Sequence, residues 1–216
     1  MGESRLNAAL RWRARLLIGA LALHILWTVL SFGYGVLTFT DNGSAIGDAL
    51  GAALLLNFFA VLPTLCLIVV AAALWVWRAH ANLRDLGFPS LAYAPLWAAS
   101  SWFVPGINLV IPPRAMRELW RNGQAADQRP DQPPVAAISG WWWCLIGGAL
   151  FEAISLVTAF LASVPGALAL ASPLLAAIIG ASGVMLLLIS CGFLMVIVRR
   201  ITRHQQSLFQ TGSGIG

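Results

Sequence analysis

The chain has 216 residues, of which 59% are hydrophobic and only 10% are charged. Soluble proteins average about 45–50% apolar and about 25% charged residues, so this composition excludes an ordinary soluble domain and indicates an integral membrane protein. A formal charge of +5 would suit nucleic acid. However, the basic residues lie beside apolar segments, where membrane orientation explains them, and we therefore expect no nucleic-acid partner.

All thirteen basic residues are arginines, and they form three clusters between long apolar segments. The clusters are Arg5, Arg11, Arg13 and Arg15, then Arg78, Arg84, Arg114, Arg117, Arg121 and Arg129, and finally Arg199, Arg200 and Arg203. Basic residues near the ends of membrane spans stay on the cytoplasmic side. Since the lack of lysine is typical of GC-rich bacterial genes, we predict a bacterial inner-membrane protein with both termini in the cytoplasm, in contact with anionic lipid headgroups.

Four apolar segments reach the roughly 20 residues that a helix needs to cross a bilayer. They are Leu16–Phe39, Ala49–Trp77, Gly140–Ala162 and Pro173–Val198. The sequence thus predicts an all-α integral membrane protein with four transmembrane helices, organised as a single membrane domain over residues 1–216. The Gln- and Pro-rich segment 122–134 is predicted to be a flexible linker.

A fifth apolar region, Leu91–Pro113, decides the topology. If it crossed the membrane, the arginines that follow it would move to the far side. Its midpoint, Val104–Asn108, contains a Pro-Gly pair, which is typical of a turn. We therefore predict a re-entrant or interfacial helical hairpin over 91–113, followed by an interfacial helix over 114–121. The alternative is a fifth transmembrane helix.

The segment from Trp75 to Trp120 carries an ordered pattern of arginine, asparagine, proline and tryptophan. Its elements are Arg78, Asn82-Leu83-Arg84, Leu86-Gly87, Ala94-Pro95, Trp97, Trp102-Phe103-Val104-Pro105, Asn108-Leu109, Pro112, Arg114 and Met116-Arg117-Glu118-Leu119-Trp120. With the tryptophan run that begins at Trp141, this order resembles a bacterial membrane-protein family catalogued as domain of unknown function 4328. The family's Ser-Pro-Gly-Trp step appears here without its glycine. The resemblance implies a polytopic membrane domain and no particular activity. It marks as motif residues Arg78, Asn82, Arg84, Gly87, Pro105, Asn108 and Pro112.

The candidate polar residues inside the predicted spans are Glu152, His24 and Asn57. Glu152 lies roughly 16 Å beyond Trp141 along a helix, near the middle of the membrane. Acids at that depth are unfavourable unless they are protonated or paired, and they often mark proton or ion paths. Two interpretations stay open: Glu152 carries a proton or ion, or it is protonated or hydrogen-bonded to His24 or Ser155 and only packs helices together.

His24 is also the one residue that suits a haem iron or a chlorophyll-type magnesium, as a neutral imidazole inside an apolar span. The sequence holds no His-x-x-x-His, Glu-x-x-His or Cys-x-x-Cys pattern that would supply further ligands. We therefore predict neither a cofactor nor a metal site. His80 and His204 lie among arginines and are expected to be solvated.

Arg114, Arg117 and Arg121 recur at three- and four-residue spacing beside Trp120. On a helix they form a basic stripe that can bind anionic lipid headgroups or an acidic surface of another protein. Arg114 and Glu118 stand at i and i+4, where they are expected to pair. The sequence thus predicts a docking or lipid-binding role for this segment.

No catalytic triad, carboxylate pair or phosphate-binding loop can be assembled from the sequence, so an enzyme is not expected. We expect a non-enzymatic accessory or assembly subunit of a bacterial inner-membrane complex, respiratory or photosynthetic for example, that contacts other membrane subunits. The alternative is a small proton- or ion-coupled transporter or channel that uses Glu152 as a midplane acid together with His24 and the break at Pro105. A membrane enzyme that acts on lipids is the third class.

Overall fold

The computed structural model of the chain describes residues 2–41, 46–88, 91–122, 135–164 and 172–212, with side chains over 7–33, 61–88, 91–122, 136–164 and 172–208. Within these ranges the chain is all-helical and contains no strand. Its α-helices are α1 (Gly2–Asp41), α2 (Ile46–Asp85), α3 (Pro95–Ser100), α4 (Ile111–Asn122), α5 (Val135–Ser163) and α6 (Pro173–Gly212). The side chain of Asn57 and residues 123–134 of the predicted linker lie outside the described residues.

Four of these helices are long and apolar enough to cross a membrane. The apolar segments are Asn7–Gly33, Val61–Asp85, Ala136–Ser163 and Pro173–Leu208. A helix satisfies its backbone hydrogen bonds internally, as the interior of a bilayer requires. This confirms the predicted all-α class with four helices able to cross a membrane.

The chain divides into two compact units. The first unit comprises Met1–Gln132 and Val198–Gly216, and the second comprises Pro133–Ile197. Helix α6 contributes to both, because its residues up to Ile197 belong to the second unit and its last turns belong to the first.

In the first unit, α1 and α2 pack side by side in opposite directions. Arg13 near the start of α1 lies over Trp77 near the end of α2, with its Cζ 5.2 Å from the ring centroid. Further along α1, the Nδ1 of His24 lies 2.9 Å from the Oγ1 of Thr64, which comes earlier in α2. The pairs therefore run in reverse order, as they must in an antiparallel hairpin.

A Schellman motif ends α2. The N–H of Phe88 donates to the carbonyl of Leu83 at 3.1 Å, and the N–H of Gly87 donates to the carbonyl of Arg84 at 2.9 Å. Gly87 has a φ of 81°, a left-handed conformation that glycine adopts without the steric penalty of a Cβ. The family motif residue Gly87 thus has a backbone role, turning the chain out of α2.

The region that follows α2 folds back on itself. It contains α3, a 3₁₀ turn at Ser101–Phe103, a turn at Pro105–Gly106 with Gly106 at φ 79°, and a second 3₁₀ turn at Ile107–Leu109 before α4. The two ends of the region meet, because the carboxylate of Glu118 accepts hydrogen bonds from the backbone N–H groups of Ala92 and Tyr93. The region 91–113 is therefore a helical hairpin and not a fifth long helix, and its re-entrant or interfacial position stays a prediction.

In the second unit, α5 and α6 pack in opposite directions through small residues. A Cβ placed on Gly148 would lie 2.7 Å from Leu187, and one on Gly183 would lie 3.1 Å from the carbonyl oxygen of Gly148. The hydroxyl of Ser190 donates to the carbonyl of Trp141 at 3.1 Å. Because these glycines lack a side chain, the two backbones approach closely enough for such contacts.

Candidate functional site

Polar side chains are buried at the end of α2 that carries the arginines. His80, Asn82 and Gln205 have no exposed surface, and Thr202 is 6% exposed. They lie on α2 and on the last turns of α6, both in the first unit, and Glu118 of α4 reaches towards them. We call these five residues the buried polar cluster. Buried polar groups of this kind are stable only when they are hydrogen-bonded, so their partners define what the site can do.

His80 and Glu118 form the centre of the cluster. The Nδ1 of His80 donates to the carbonyl of Val76 at 3.0 Å, which requires a proton on that nitrogen. The Nε2 faces the Oε2 of Glu118 at 3.4 Å. When Nε2 is protonated as well, His80 is an imidazolium and the two side chains form an ion pair. The expectation that His80 is solvated was wrong, because α4 covers it and both ring nitrogens face acceptors.

Glu118 is 11% exposed at its side chain, accepts hydrogen bonds from two backbone N–H groups and lies 3.4 Å from the Nε2 of His80. Burial by itself raises the pKa of this carboxyl, but the contact with His80 and the hydrogen bond from the N–H of Ala92 outweigh burial, so the pKa lies below its ordinary value. Glu118 is therefore ionised at neutral pH and fastens α4 to α2 and to the start of the hairpin. It does not pair with Arg114, as the i,i+4 spacing suggested, because its carboxylate points into the unit.

The last turns of α6 are joined to α2 by two further hydrogen bonds. The indole N–H of Trp75 donates to the hydroxyl of Thr202 at 3.1 Å, and the amide of Gln205 donates to the carbonyl of Ala79 at 3.1 Å. Trp75 has no exposed surface. These contacts hold the end of α6 beside the end of α2, and both run in the same direction there.

Trp120, predicted from sequence as part of a docking surface, is only 6% exposed. Its ring centroid lies 6.4 Å from that of His204, and the guanidinium carbon of Arg200 lies 5.9 Å from its ring centroid. The indole therefore packs α4 against the end of α6. A partner that binds α4 therefore contacts the face of this helix opposite Trp120.

That other face of α4 is cationic. Arg114 and Arg121 are exposed, and Arg117 is half-buried. The opposite face of the same helix is buried through Pro112, Pro113, Ala115, Met116, Leu119 and Trp120. Because Glu118 and this apolar face fix the helix, Arg114 and Arg121 are presented from a fixed backbone. We call the surface formed by these two arginines the α4 arginine surface.

The remaining motif residues have structural positions. Arg78 donates to the side-chain oxygen of Asn82 at 2.7 Å and forms an ion pair with Asp85 at 3.1 Å. Arg84 is exposed, and Pro105 lies in the exposed turn of the hairpin. The backbone N–H of Asn108 closes that turn on the carbonyl of Val104 at 2.9 Å.

The two polar residues predicted at mid-membrane depth lie in different units. In the first unit, the hydroxyl of Thr64 donates to the carbonyl of Val61, so the Nδ1 of His24 is the donor in its bond to Thr64. In the second unit, Glu152 lies at the contact of α5 with Gly183, and its Oε1 is buried without a hydrogen-bond partner among the described residues. The hydroxyl of Ser155 donates to the carbonyl of Ala176 at 2.8 Å. No group of three or more metal-ligating side chains occurs in the part of the chain that the structure describes.

Three members of the cluster were not found from the sequence: His80, Thr202 and Gln205. Thr202 and Gln205 stand three residues apart, with exposed Arg203 between them. Such spacing indicates one buried helical face, but the arginines nearby favour a solvated tail on sequence alone. The spacing of Thr202 and Gln205 thus indicated a buried face, but the neighbouring arginines concealed this indication.

Comparison with known proteins gives one match. A family model with the description "Domain of unknown function (DUF4328)" matches residues 41–203, which is more than half of the chain. No curated protein and no solved structure matches the chain. The matched range includes α2, the hairpin, α4 and α5, and it reaches Thr202 of the buried polar cluster.

Proposed function

Since the chain belongs to the family described as domain of unknown function (DUF4328), we propose from its geometry that it is a non-enzymatic accessory or assembly subunit of a larger complex in a bacterial inner membrane. The family description supplies no activity. The proposal rests on the α4 arginine surface and on how the polar side chains of the first unit are used.

The single observation that supports the proposal best is the division of α4 into two faces. Six of its residues are buried, while Arg114 and Arg121 are exposed. Glu118, the acidic residue of α4, turns inward to His80 and to the backbone of Ala92, and no carboxylate of the described side chains lies within 4.0 Å of Arg114 or Arg121. A pair of guanidinium groups on a fixed helix fits an acidic protein surface, because less conformational entropy is lost when the backbone is already ordered.

A protein partner explains this arrangement better than lipid headgroups do. Headgroups are mobile and bind flexible basic segments through net charge, at about 1 kcal/mol per arginine near the surface. They require no buried contact between His80 and Glu118 behind the arginines. A protein partner with carboxylates at fixed positions does benefit from one, since guanidinium groups bind carboxylates in a planar, two-bond geometry.

We place the α4 arginine surface and both termini in the cytoplasm. Contacts within the first unit bring members of all three arginine clusters to one end: Arg13 lies over Trp77, next to Arg78, and Arg200 lies over Trp120. Keeping this end in the cytoplasm satisfies the preference of basic residues for that side.

Affinity purification from native membranes in mild detergent, followed by quantitative mass spectrometry, tests the proposal. Wild-type protein should retain one or a few membrane subunits in fixed stoichiometry. Arg114→Lys and Arg121→Lys should each release them, because lysine keeps the charge but loses the planar fork. Arg15→Lys is the matched control, since Arg15 is exposed on α1, away from α4.

Each variant should remain folded, because both arginines are exposed. If the stoichiometric partner stays bound when both arginines of the α4 arginine surface are changed to glutamate, the docking role is wrong. If both lysine variants behave as wild type and only charge reversal acts, the surface binds headgroups and not a fitted partner.

Proton- or ion-coupled transport is a second candidate, and one observation favours it. The Oε1 of Glu152 is buried against Gly183 in the second unit without a hydrogen-bond partner among the described residues. A carboxyl in such a place is available for a proton or a cation.

Glu152→Gln separates transport from packing. The amide keeps the shape of a protonated carboxyl but cannot release a proton. In proteoliposomes with an imposed pH gradient, we expect wild-type protein to dissipate the gradient and Glu152→Gln to lack this activity at unchanged protein content. Thr158→Val on the same helix is the control, since the Thr158 hydroxyl only donates to the carbonyl of Ile154. If vesicles with wild-type protein keep the pH gradient as well as protein-free vesicles do, the proposal that the protein transports protons is wrong.

A further inference from the structure

An apolar groove lies in the first unit between α2 and the hairpin. Its volume is about 320 Å³. Residues at i, i+4 and i+7 line it from both sides: Val70, Leu74 and Trp77 of α2, and Leu96, Ser100 and Phe103 of the hairpin. The same spacing on both sides means that one helical face of α2 and one of the hairpin lie opposite each other across the groove.

The groove is too apolar to hold water. Ser100 is the polar residue among those six, and its hydroxyl donates to the carbonyl of Trp97 at 3.3 Å. A bound water needs two to four polar partners, whereas a dry engineered cavity of roughly 150 Å³ takes up benzene. Leu96 is 74% exposed and Phe103 57% exposed, so the groove is open along the hairpin. Its shape and chemistry therefore suit a hydrocarbon chain that enters from the bilayer.

A positive charge lies against Trp77, one of the residues that line the groove. The Cζ of Arg13 lies 5.2 Å from the centroid of the Trp77 ring. The guanidinium of Arg78 is close enough to repel that of Arg13. Arg78 has Asp85 as a counter-ion at 3.1 Å, but no carboxylate among the described side chains lies within 4.0 Å of Arg13. Arg13 is therefore a cation without an acidic partner in this part of the protein.

We propose that the groove and Arg13 together bind one anionic phospholipid, with an acyl chain between α2 and the hairpin and the phosphate on the guanidinium of Arg13. The eight residues from Val70 to Trp77 span roughly 10 Å of helix, enough for the upper part of an acyl chain. An indole prefers the boundary between headgroup and hydrocarbon, where Trp77 would lie. A guanidinium stacked on a ring keeps its N–H edge free for phosphate oxygens.

The same geometry selects against zwitterionic lipid. Phosphatidylcholine places a quaternary ammonium next to its phosphate, which both Arg13 and Arg78 repel, whereas phosphatidylglycerol carries only the negative charge. This site is separate from the α4 arginine surface, so it stands whether or not that surface binds a partner.

Native mass spectrometry of the full-length protein in detergent measures this binding directly. Titration with phosphatidylglycerol and phosphatidylcholine of the same acyl chains should show one site with at least about fivefold preference for the glycerol lipid, the ratio that ~1 kcal/mol per arginine gives. Arg13→Ala should abolish the preference. Arg11→Ala, which removes an exposed charge two residues away on the same helix, should preserve it.

The acyl part of the site has its own variant. Ser100→Phe places a ring in the groove and should reduce binding of both lipids about equally, while Ser163→Phe at an exposed position of α5 should leave both unchanged. Glycerol phosphate, which has the charge but no chain, should not displace the lipid at matching concentration.

Three results would overturn the proposal, and two of them need no variant. They are equal affinity of wild-type protein for the two lipids, displacement of bound lipid by glycerol phosphate, and the same effect of Arg11→Ala and Arg13→Ala.

Discussion

Glu118 illustrates how much a single side chain determines in this protein. Its carboxylate contacts His80 of α2 and the backbone of Ala92 and Tyr93, so one residue joins three segments of the first unit. Hydrogen bonds to a charged group contribute roughly 1.5–3 kcal/mol, about twice as much as neutral ones. The position of α4, and with it the α4 arginine surface, therefore depends on the ionised state of Glu118.

The pH dependence of stability tests this dependence. The pKa of Glu118 in the folded protein lies below its ordinary value of 4.5, so its contribution is fully present above pH 4.5 and is lost as the pH falls through the folded-state pKa. We expect Glu118→Gln to lower the free energy of unfolding in detergent by roughly 1.5–3 kcal/mol at neutral pH. The difference from wild type should shrink as the pH falls below that ordinary value.

Asp85→Asn is the matched control, since Asp85 is 49% exposed at its side chain and pairs with Arg78 at the surface. Such pairs contribute about 0–1 kcal/mol. A difference between wild type and Glu118→Gln that stays constant down to acidic pH would mean that the charge of Glu118 does not hold α4.

Several important residues could be identified from the sequence, but the direction in which their side chains point could not. Glu118 and Trp120 were visible in the family motif, yet spacing paired Glu118 with Arg114 and placed Trp120 on a docking surface. Helical spacing tells which residues share a face of one helix. Spacing does not tell which face another helix will cover. In α4, Glu118 and Trp120 both lie on the inward face, because they contact His80 and His204 there.

At the scale of the helices, the contact between α5 and α6 shows how glycines, which have no side chain, determine helix packing. Gly183 faces the backbone of Gly148 and the carboxyl of Glu152, with 3.1 Å or less between each of them and a Cβ placed there. A larger residue would have to push α5 away, and overpacking of this kind costs typically 1–3 kcal/mol.

Gly183→Leu should therefore lower the unfolding temperature of the purified protein, whereas Gly192→Leu should not. Both glycines lie in α6, but a Cβ on Gly192 meets no atom within 4 Å. Thermal unfolding in the same detergent, followed by circular dichroism, compares them. Equal unfolding temperatures for the two variants would show that α5 and α6 do not need this close approach.

The long helices were predictable because hydrophobic length is a strong signal in a membrane protein. The hairpin was predictable from Pro105 and Gly106, which favour a turn. What could not be predicted was the extent of α6, which continues through its arginines to Gly212. Its last turns are amphipathic, and the face with Thr202 and Gln205 becomes buried only because α2 offers Trp75 and Ala79 as partners.

For the molecule as a whole, the distribution of arginines leads to a testable orientation. A cysteine introduced at Arg121, in a background without Cys66, Cys144 and Cys191, should react with a membrane-impermeant thiol reagent only after the inner membrane is opened, because we place α4 in the cytoplasm. A cysteine at Ser163, at the end of α5 that leads to a predicted outer loop, is the control and should react in intact spheroplasts. Reaction of the cysteine at position 121 in intact spheroplasts would place α4 on the outer side.

The proposal that α4 docks onto another membrane subunit is central to this account of function. Site-specific photocross-linking in native membranes tests it most directly, with a photoreactive amino acid at Arg114 and, for comparison, at Leu96, which is exposed on α3. We predict one protein adduct from position 114, formed in proportion to the amount of that subunit and lost when Arg121 is changed to glutamate. Adducts from position 114 that contain only lipid, or that persist unchanged after Arg121→Glu, would contradict a docking role for α4.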